Sequence, residues 1–194
     1  FAVFQTLFPN PDAPHPAMAI TLLEHGISLR MQDRNAEAAM LLSRASALAN
    51  KQAKTVLTSL LRERAMVWLA LEKPELAIAD IDVCLVQAAT LLPVAQLNPT
   101  LAGCQWRAAQ IEFARGNTSS AQGFVTKALA GYRVSDANAV SLAFEQAQAR
   151  IVQMQIAQAQ GQISAAQDAG AQAKTLLQPW QEYWLARQLL TRLN

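Results

Sequence analysis

The residues able to do chemistry are few and scattered. Two histidines occur, His15 between prolines and His25 beside Gly26. A general base needs partners that orient it and a reacting group within hydrogen-bond reach, and the sequence offers neither histidine such partners. His25 is expected to be a partly buried packing residue. Asp80 and Asp82 stand two apart in a helical stretch, point to different sides, and are expected on a solvated face. There is no Gly-rich phosphate loop, no nucleophile elbow and no metal-ligand helix pair. The chain is therefore expected not to be an enzyme and to use no cofactor. Two cysteines, Cys84 and Cys104, flank the Pro93–Pro99 turn as facing residues of a helical hairpin would. They are either two small buried residues or a disulfide across the loop. The bond would add about 3 kcal/mol in the loop-entropy picture and requires an oxidising compartment. With no histidine nearby in sequence they form no metal motif.

The elements that must position these side chains repeat. The first copy of the pattern is Gly26, Leu29, Ala38, Leu42, Ala45, and the second is Ala65, Trp68, Ala77, Ile81, Cys84. The third is Ala109, Ala121, Val125, Ala128, with Phe113 standing in for the apolar slot that Glu112 occupies. A fainter fourth is Ala157, Ala166, Gly170, Ala173. Ala38, Ala77, Ala121 and Ala166 are spaced by 39, 44 and 45 residues. Such a period implies stacked helical units, each leaning on its neighbour to bury an apolar face. Antiparallel helices approach closely only where side chains are small, so Gly26, Ala38 and Ala45 open a seam that Leu29 and Leu42 fill. The predicted class is all-α: an antiparallel helix-pair solenoid of about four repeats plus a C-terminal capping helix.

These slots resemble the tetratricopeptide (TPR) repeat, with its small residues at the eighth, twentieth and twenty-seventh positions, over residues 15–178. The period exceeds the usual length of about 34 and is similar to that of long-helix variants such as those of kinesin light chains. The resemblance implies that the first helix of each pair lines a concave groove. Its groove slots fall on Leu23, Ile27 and Arg30, then on Arg62, Met66 and Leu69, then on Trp106, Gln110 and Phe113, and last on Ile151, Gln155 and Gln158. Arginine forks hold carboxylates, amides hold extended backbone, and Trp or Met holds apolar side chains. The mix suits a peptide or a protein helix. Arg30 and Arg62 are expected to take an acidic stretch and Trp106 an apolar side chain. Two other arrangements stay open: both arginines pairing with local glutamates such as Glu24 and Glu63, or the C-terminal helix filling the groove.

Residues 1–14 read as a linker or the end of a preceding domain. Phe1, Phe4, Leu7 and Phe8 are at helical spacing, and PNPDAPHP then brings a run of prolines that helices cannot enter. The start at Phe1 suggests a piece of something longer. Pro16 opens the first helix, Asn98-Pro99 caps another, Gly116 and Gly161 close two more, and Ser135-Asp136 opens a long one. Residues 179–194 are predicted to form one capping helix with Trp180 and Trp184 on one face.

Apolar residues make up 52% of the chain and charged residues 15%, which excludes a disordered polar tail. A net charge of +2 gives no reason to expect nucleic acid or an anionic membrane as partner. The best apolar window, 56–71, is broken by Arg62, Glu63 and Arg64, so direct membrane insertion is not expected. Low lysine content and the cysteine pair lean toward an extracytoplasmic (periplasmic) setting. No residue pattern sets an oligomeric state. The expected function is a non-catalytic protein- or peptide-binding scaffold or sensor module of a larger signalling protein. Phe4, Leu7, Phe8, Pro11, Leu22, Leu23 and Gly26 resemble the segment joining kinase and TPR regions in some bacterial serine/threonine kinases. The alternative is a ligand- or peptide-sensing helical-repeat domain of a transcriptional regulator.

Overall fold

The computed structural model describes residues 16–49, 54–92, 98–132 and 139–193. Among them the regular elements are all helical. They are α1 (Pro16–Met31), α2 (Asn35–Leu48), α3 (Lys54–Ala70), α4 (Pro74–Ala89), α5 (Pro99–Ala114), α6 (Thr118–Ala130), α7 (Val140–Ala159), α8 (Ile163–Leu177), a 3-10 turn (Gln178–Trp180) and α9 (Trp184–Thr191). The chain divides into two compact units, Phe1–Leu91 and Leu92–Asn194. The first holds the helix pairs α1/α2 and α3/α4. The second holds α5/α6 and α7/α8, followed by α9. The expectations for residues 1–15, including His15 and the proline linker, and for Ser135-Asp136 lie outside the described residues.

One device closes all four pairs. Asp33, Glu72, Gly116 and Gly161 each adopt the left-handed conformation, with φ of 58°, 58°, 83° and 72°. Each donates its N–H to the carbonyl three residues back at 3.0 Å. The next N–H reaches five residues back, Arg34 to Leu29, Lys73 to Trp68, Asn117 to Glu112 and Gln162 to Ala157, at 2.9–3.0 Å. This is the Schellman arrangement, which satisfies carbonyls left over at a helix end. Glycine occupies the strained position twice. Asp33 and Glu72 hold it at a cost of about 1 kcal/mol each. Five residues after each such position comes an alanine slot of the repeat, Ala38, Ala77, Ala121 or Ala166. Its N–H makes an early bond of the second helix, to Arg34, Lys73, Asn117 or Gln162 respectively. The repeat register read from spacing is therefore the register of the turns.

The small slots are where backbones meet. Ala38, Ala45, Ala65, Ala77, Cys84, Ala109, Ala121, Ala128, Ala157, Ala166 and Ala173 are all buried. A Cβ added at Gly26 would lie 2.7 Å from Leu42 Cγ, closer than real contacts come, so the first pair requires glycine there. In the first unit Leu22, Leu29, Leu42, Leu60 and Val67 join one apolar cluster across α1, α2 and α3. Asn98 caps α5, its side chain accepting from the Leu101 N–H at 3.0 Å. His25 departs from expectation. It is exposed, because residues 21, 25, 28 and 32 form the outer stripe of α1, away from the Gly26–Leu42 seam.

The C-terminal segment also differs from the single helix expected. Pro179 confines the chain to a 3-10 turn, and Tyr183 is extended (φ −78°, ψ 135°) before α9 begins. Trp180 and Trp184 therefore do not share a helical face. Trp180 meets Tyr183 edge-on at 6.0 Å, Tyr183 meets Phe144 of α7 at 6.3 Å, and Trp184 is exposed. Helix α9 buries Ala186 and Leu189 in a cluster with Ala147 of α7 and Leu177 of α8.

Candidate partner-binding faces

In the first unit the candidate residues lie on α1 and α3, the first helices of their pairs. Leu23 and Met66 are buried, and Ile27, Arg30, Arg62 and Leu69 are half-buried. Both arginines turn toward one carboxylate. Glu63, itself buried, lies 3.0 Å from an Arg30 terminal nitrogen and 3.9 Å from Arg62 Nε. Pairing with a local glutamate was one of the arrangements left open by the sequence, and Glu63 is that partner. The contact joins α1 to α3, so it fixes consecutive first helices relative to each other. The Arg30 and Arg62 side chains as wholes remain 30% and 23% exposed. A buried charge must be paired, and here one carboxylate gathers two arginines at the surface.

Asp80 corrects the sequence reading. It is buried in α4, not solvated. Arg64 of α3 holds both its oxygens at 2.6 and 2.7 Å, and the Trp68 indole donates to it at 3.1 Å. A fork-to-fork arginine–carboxylate pair is the strong form of the interaction. Lys73 lies over the same indole at 5.6 Å. Asp82, by contrast, is exposed as expected.

In the second unit α5 and α7 are the first helices. Gln110, Phe113 and Ile151 are half-buried, while Gln155 and Gln158 are exposed. Trp106 is 2% exposed, so the aromatic anchor expected from its slot does not present its ring to solvent. Its indole donates to Glu145 Oε2 of α7 at 2.7 Å. The Arg107 guanidinium stacks on its face at 4.1 Å. Arg107, 3% exposed, also donates to Glu145 through both terminal nitrogens at 2.8 and 3.1 Å and to the Gly103 carbonyl at 3.0 Å. Trp106 is thus used to bind α5 to α7. Sequence reasoning missed Arg107 and Glu145, which stand 38 residues apart and share no motif.

Cys84 and Cys104 are fully buried. Among the described residues no helix is long and apolar enough to cross a membrane.

Helix pairs of this length, closed by a recurring turn and seamed by alanine, have solved counterparts. The nearly identical TPR-like repeats assigned to a kinesin light chain of Podosopora anserina match with a TM-score of 0.54. The match covers 92% of this chain and 94% of that one at 17% identity, for the parent protein and for a point variant alike. The fold is TPR-like. No protein-family model and no curated protein matches the sequence. Within a TPR-like framework α1, α3, α5 and α7 are the first helices of the pairs, the ones that carry the twelve candidate residues.

Proposed function

We propose that this chain is a non-catalytic module that binds a protein or peptide segment through the first helices of its pairs. The observation that supports it most is the convergence of Arg30 and Arg62 on Glu63, each arginine still partly open to solvent. A partner carboxylate arriving there would meet two guanidinium groups already held in place, which lowers the ordering entropy of binding. Ile27 and Leu69 supply half-buried apolar surface on the same two helices. Gln110, Phe113, Gln155 and Gln158 offer amides and apolar contacts on the first helices of the second unit, whereas Ile151 packs against the cluster that holds Ala186 and Leu189 of the C-terminal helix. The test is a screen of acidic synthetic peptides followed by amide NMR mapping of the best binder. Shifts are expected at Ile27, Arg30, Arg62 and Leu69, and shifts confined to α2 and α4 would refute the reading.

The setting is a larger signalling protein, the reading that the resemblance of Phe4, Leu7, Phe8, Pro11, Leu22, Leu23 and Gly26 to the segment joining kinase and TPR regions supports. We also propose that Cys84 and Cys104, the two cysteines of the chain, are bonded to each other. Intact mass after alkylation without reductant is expected to show no label, with two labels appearing after reduction and unfolding. Labelling without reductant would rule the bond out.

A further inference from the structure

Helix α9 covers one end of the candidate face of the second unit. Ile151 and Phe144 of α7 pack against the apolar cluster of Ala147, Leu177, Ala186 and Leu189, to which α9 contributes the last two. Gln155, one turn beyond Ile151, is exposed, so the cover stops there. The hold of α9 on this seat is slight. Of its eight residues only Ala186 and Leu189 are buried, while Leu185 and Leu190 are half-buried and Trp184, Arg187 and Gln188 are exposed. A helix of that length has little stability in isolation and depends on its docking. The 3-10 turn around Pro179 and the extended Tyr183 separate it from α8, so the helical ladder does not run from one into the other.

The docked state also carries a cost. The Trp180 indole N–H is closed off from solvent and meets no acceptor among the described residues. A buried donor left without an acceptor is unfavourable, and lifting the segment would return it to water. Weakly held terminal elements of this kind are where local opening concentrates. We propose that α9 is an internal occupant of a helix-binding seat on α7 and α8, and that it is displaced by a partner helix carrying α9's own apolar pattern. That pattern is Leu185, Ala186, Leu189, Leu190 and Leu193, the positions i, i+1, i+4, i+5 and i+8. The seat selects by shape and apolar spacing, because the cluster that forms it contains no charged side chain. The inference rests on the reading that first helices are binding faces, and it adds that in the second unit one end of that face is shut until α9 leaves.

Two measurements on the full chain test it. In amide hydrogen exchange of the wild type, α9 is expected to exchange at least about tenfold faster than the centres of α7 and α8, as a separately opening unit does. Exchange of α9 in step with those helices overturns the proposal. The second measurement uses a fluorescent synthetic peptide of residues 178–194 as probe, read by anisotropy. An Ala186→Asp, Leu189→Asp variant of the full chain cannot dock its own α9 and is expected to bind the probe at least about tenfold more tightly than wild type, where the tethered copy competes at high effective concentration. Adding Ile151→Asp to that variant is expected to remove the gain, because the seat itself is then charged. Equal binding to wild type and to the undocked variant, no binding to an undocked variant that still melts cooperatively, or a gain that survives Ile151→Asp each overturns the proposal. So does loss of cooperative melting in the undocked variant, which would make α9 part of the core of the unit. An Arg30→Gln, Arg62→Gln variant should treat the probe as wild type does, so failure of acidic-peptide binding at α1 and α3 is read separately from failure of this exchange.

Discussion

Glu145→Ala is expected to lower folding stability by about 3–5 kcal/mol, the range for removing one partner of a buried ion pair. The carboxylate accepts from both terminal nitrogens of Arg107 and from the Trp106 indole, and the Arg107 side chain is 4% exposed. Without Glu145 the guanidinium keeps only the Gly103 carbonyl and the Trp106 face among these contacts. A Glu145→Gln variant should lose less, because its amide oxygen can still accept from the indole. Urea denaturation of the two variants against wild type measures the effect. Breaking the exposed Arg34–Glu37 pair by Glu37→Ala is the control, and no measurable change is expected there. A loss below about 1 kcal/mol for Glu145→Ala would mean that water reaches Arg107 and the α5–α7 contact is not sealed.

Ala77→Arg is expected to abolish the cooperative melting of the first unit. Ala77 is fully buried in the first turn of α4, where that helix meets α3. An arginine there brings both excess volume and an unpaired charge into a packed seam, and each is severe alone. Total domain stability is only about 5–15 kcal/mol, so little would remain. Ala79→Arg, two residues on and exposed, is expected to melt within a few degrees of wild type. Circular dichroism melts of the pair read the helix register directly, and equal behaviour of the two variants would contradict it.

The contrast between these two sites shows what the amino-acid sequence could tell. Ala77 was legible because close helix packing imposes one local requirement, smallness, at a recurring spacing. Gly26, Ala38, Ala121 and Ala166 were legible for the same reason, and the four turns fall in the same register. The Asn98 cap was legible because capping is local chemistry three residues wide. Glu145 was not legible, since its partners are 38 and 39 residues away and nothing local distinguishes it from a solvated glutamate. Asp80 failed for a related reason. A pair of aspartates two apart looks solvated, and only the fold shows that one of them turns inward onto Arg64 and Trp68. Trp106 occupied a groove slot by spacing, yet its ring is consumed by Arg107, an immediate neighbour that the slot pattern ignores. At the C-terminus the period of Trp180 and Trp184 was helical, but Pro179 and the extended Tyr183 interrupt the helix that would have aligned them.

Binding through the first helices rests most directly on Arg30 and Arg62. The decisive measurement is the affinity of a selected acidic peptide for wild type and for the Arg30→Gln, Arg62→Gln double variant, with melting temperatures taken in parallel. Glutamine retains hydrogen-bond donors toward Glu63 but removes the positive charge that a partner carboxylate would meet. The expected result is a loss of at least about tenfold in affinity, in keeping with charge-assisted bonds, compared at a temperature where both proteins are folded, because buried Glu63 loses two cations and the melting temperature falls. Unchanged affinity in a folded double variant would show that the paired arginines serve only to hold α1 against α3 and that the peptide binds elsewhere.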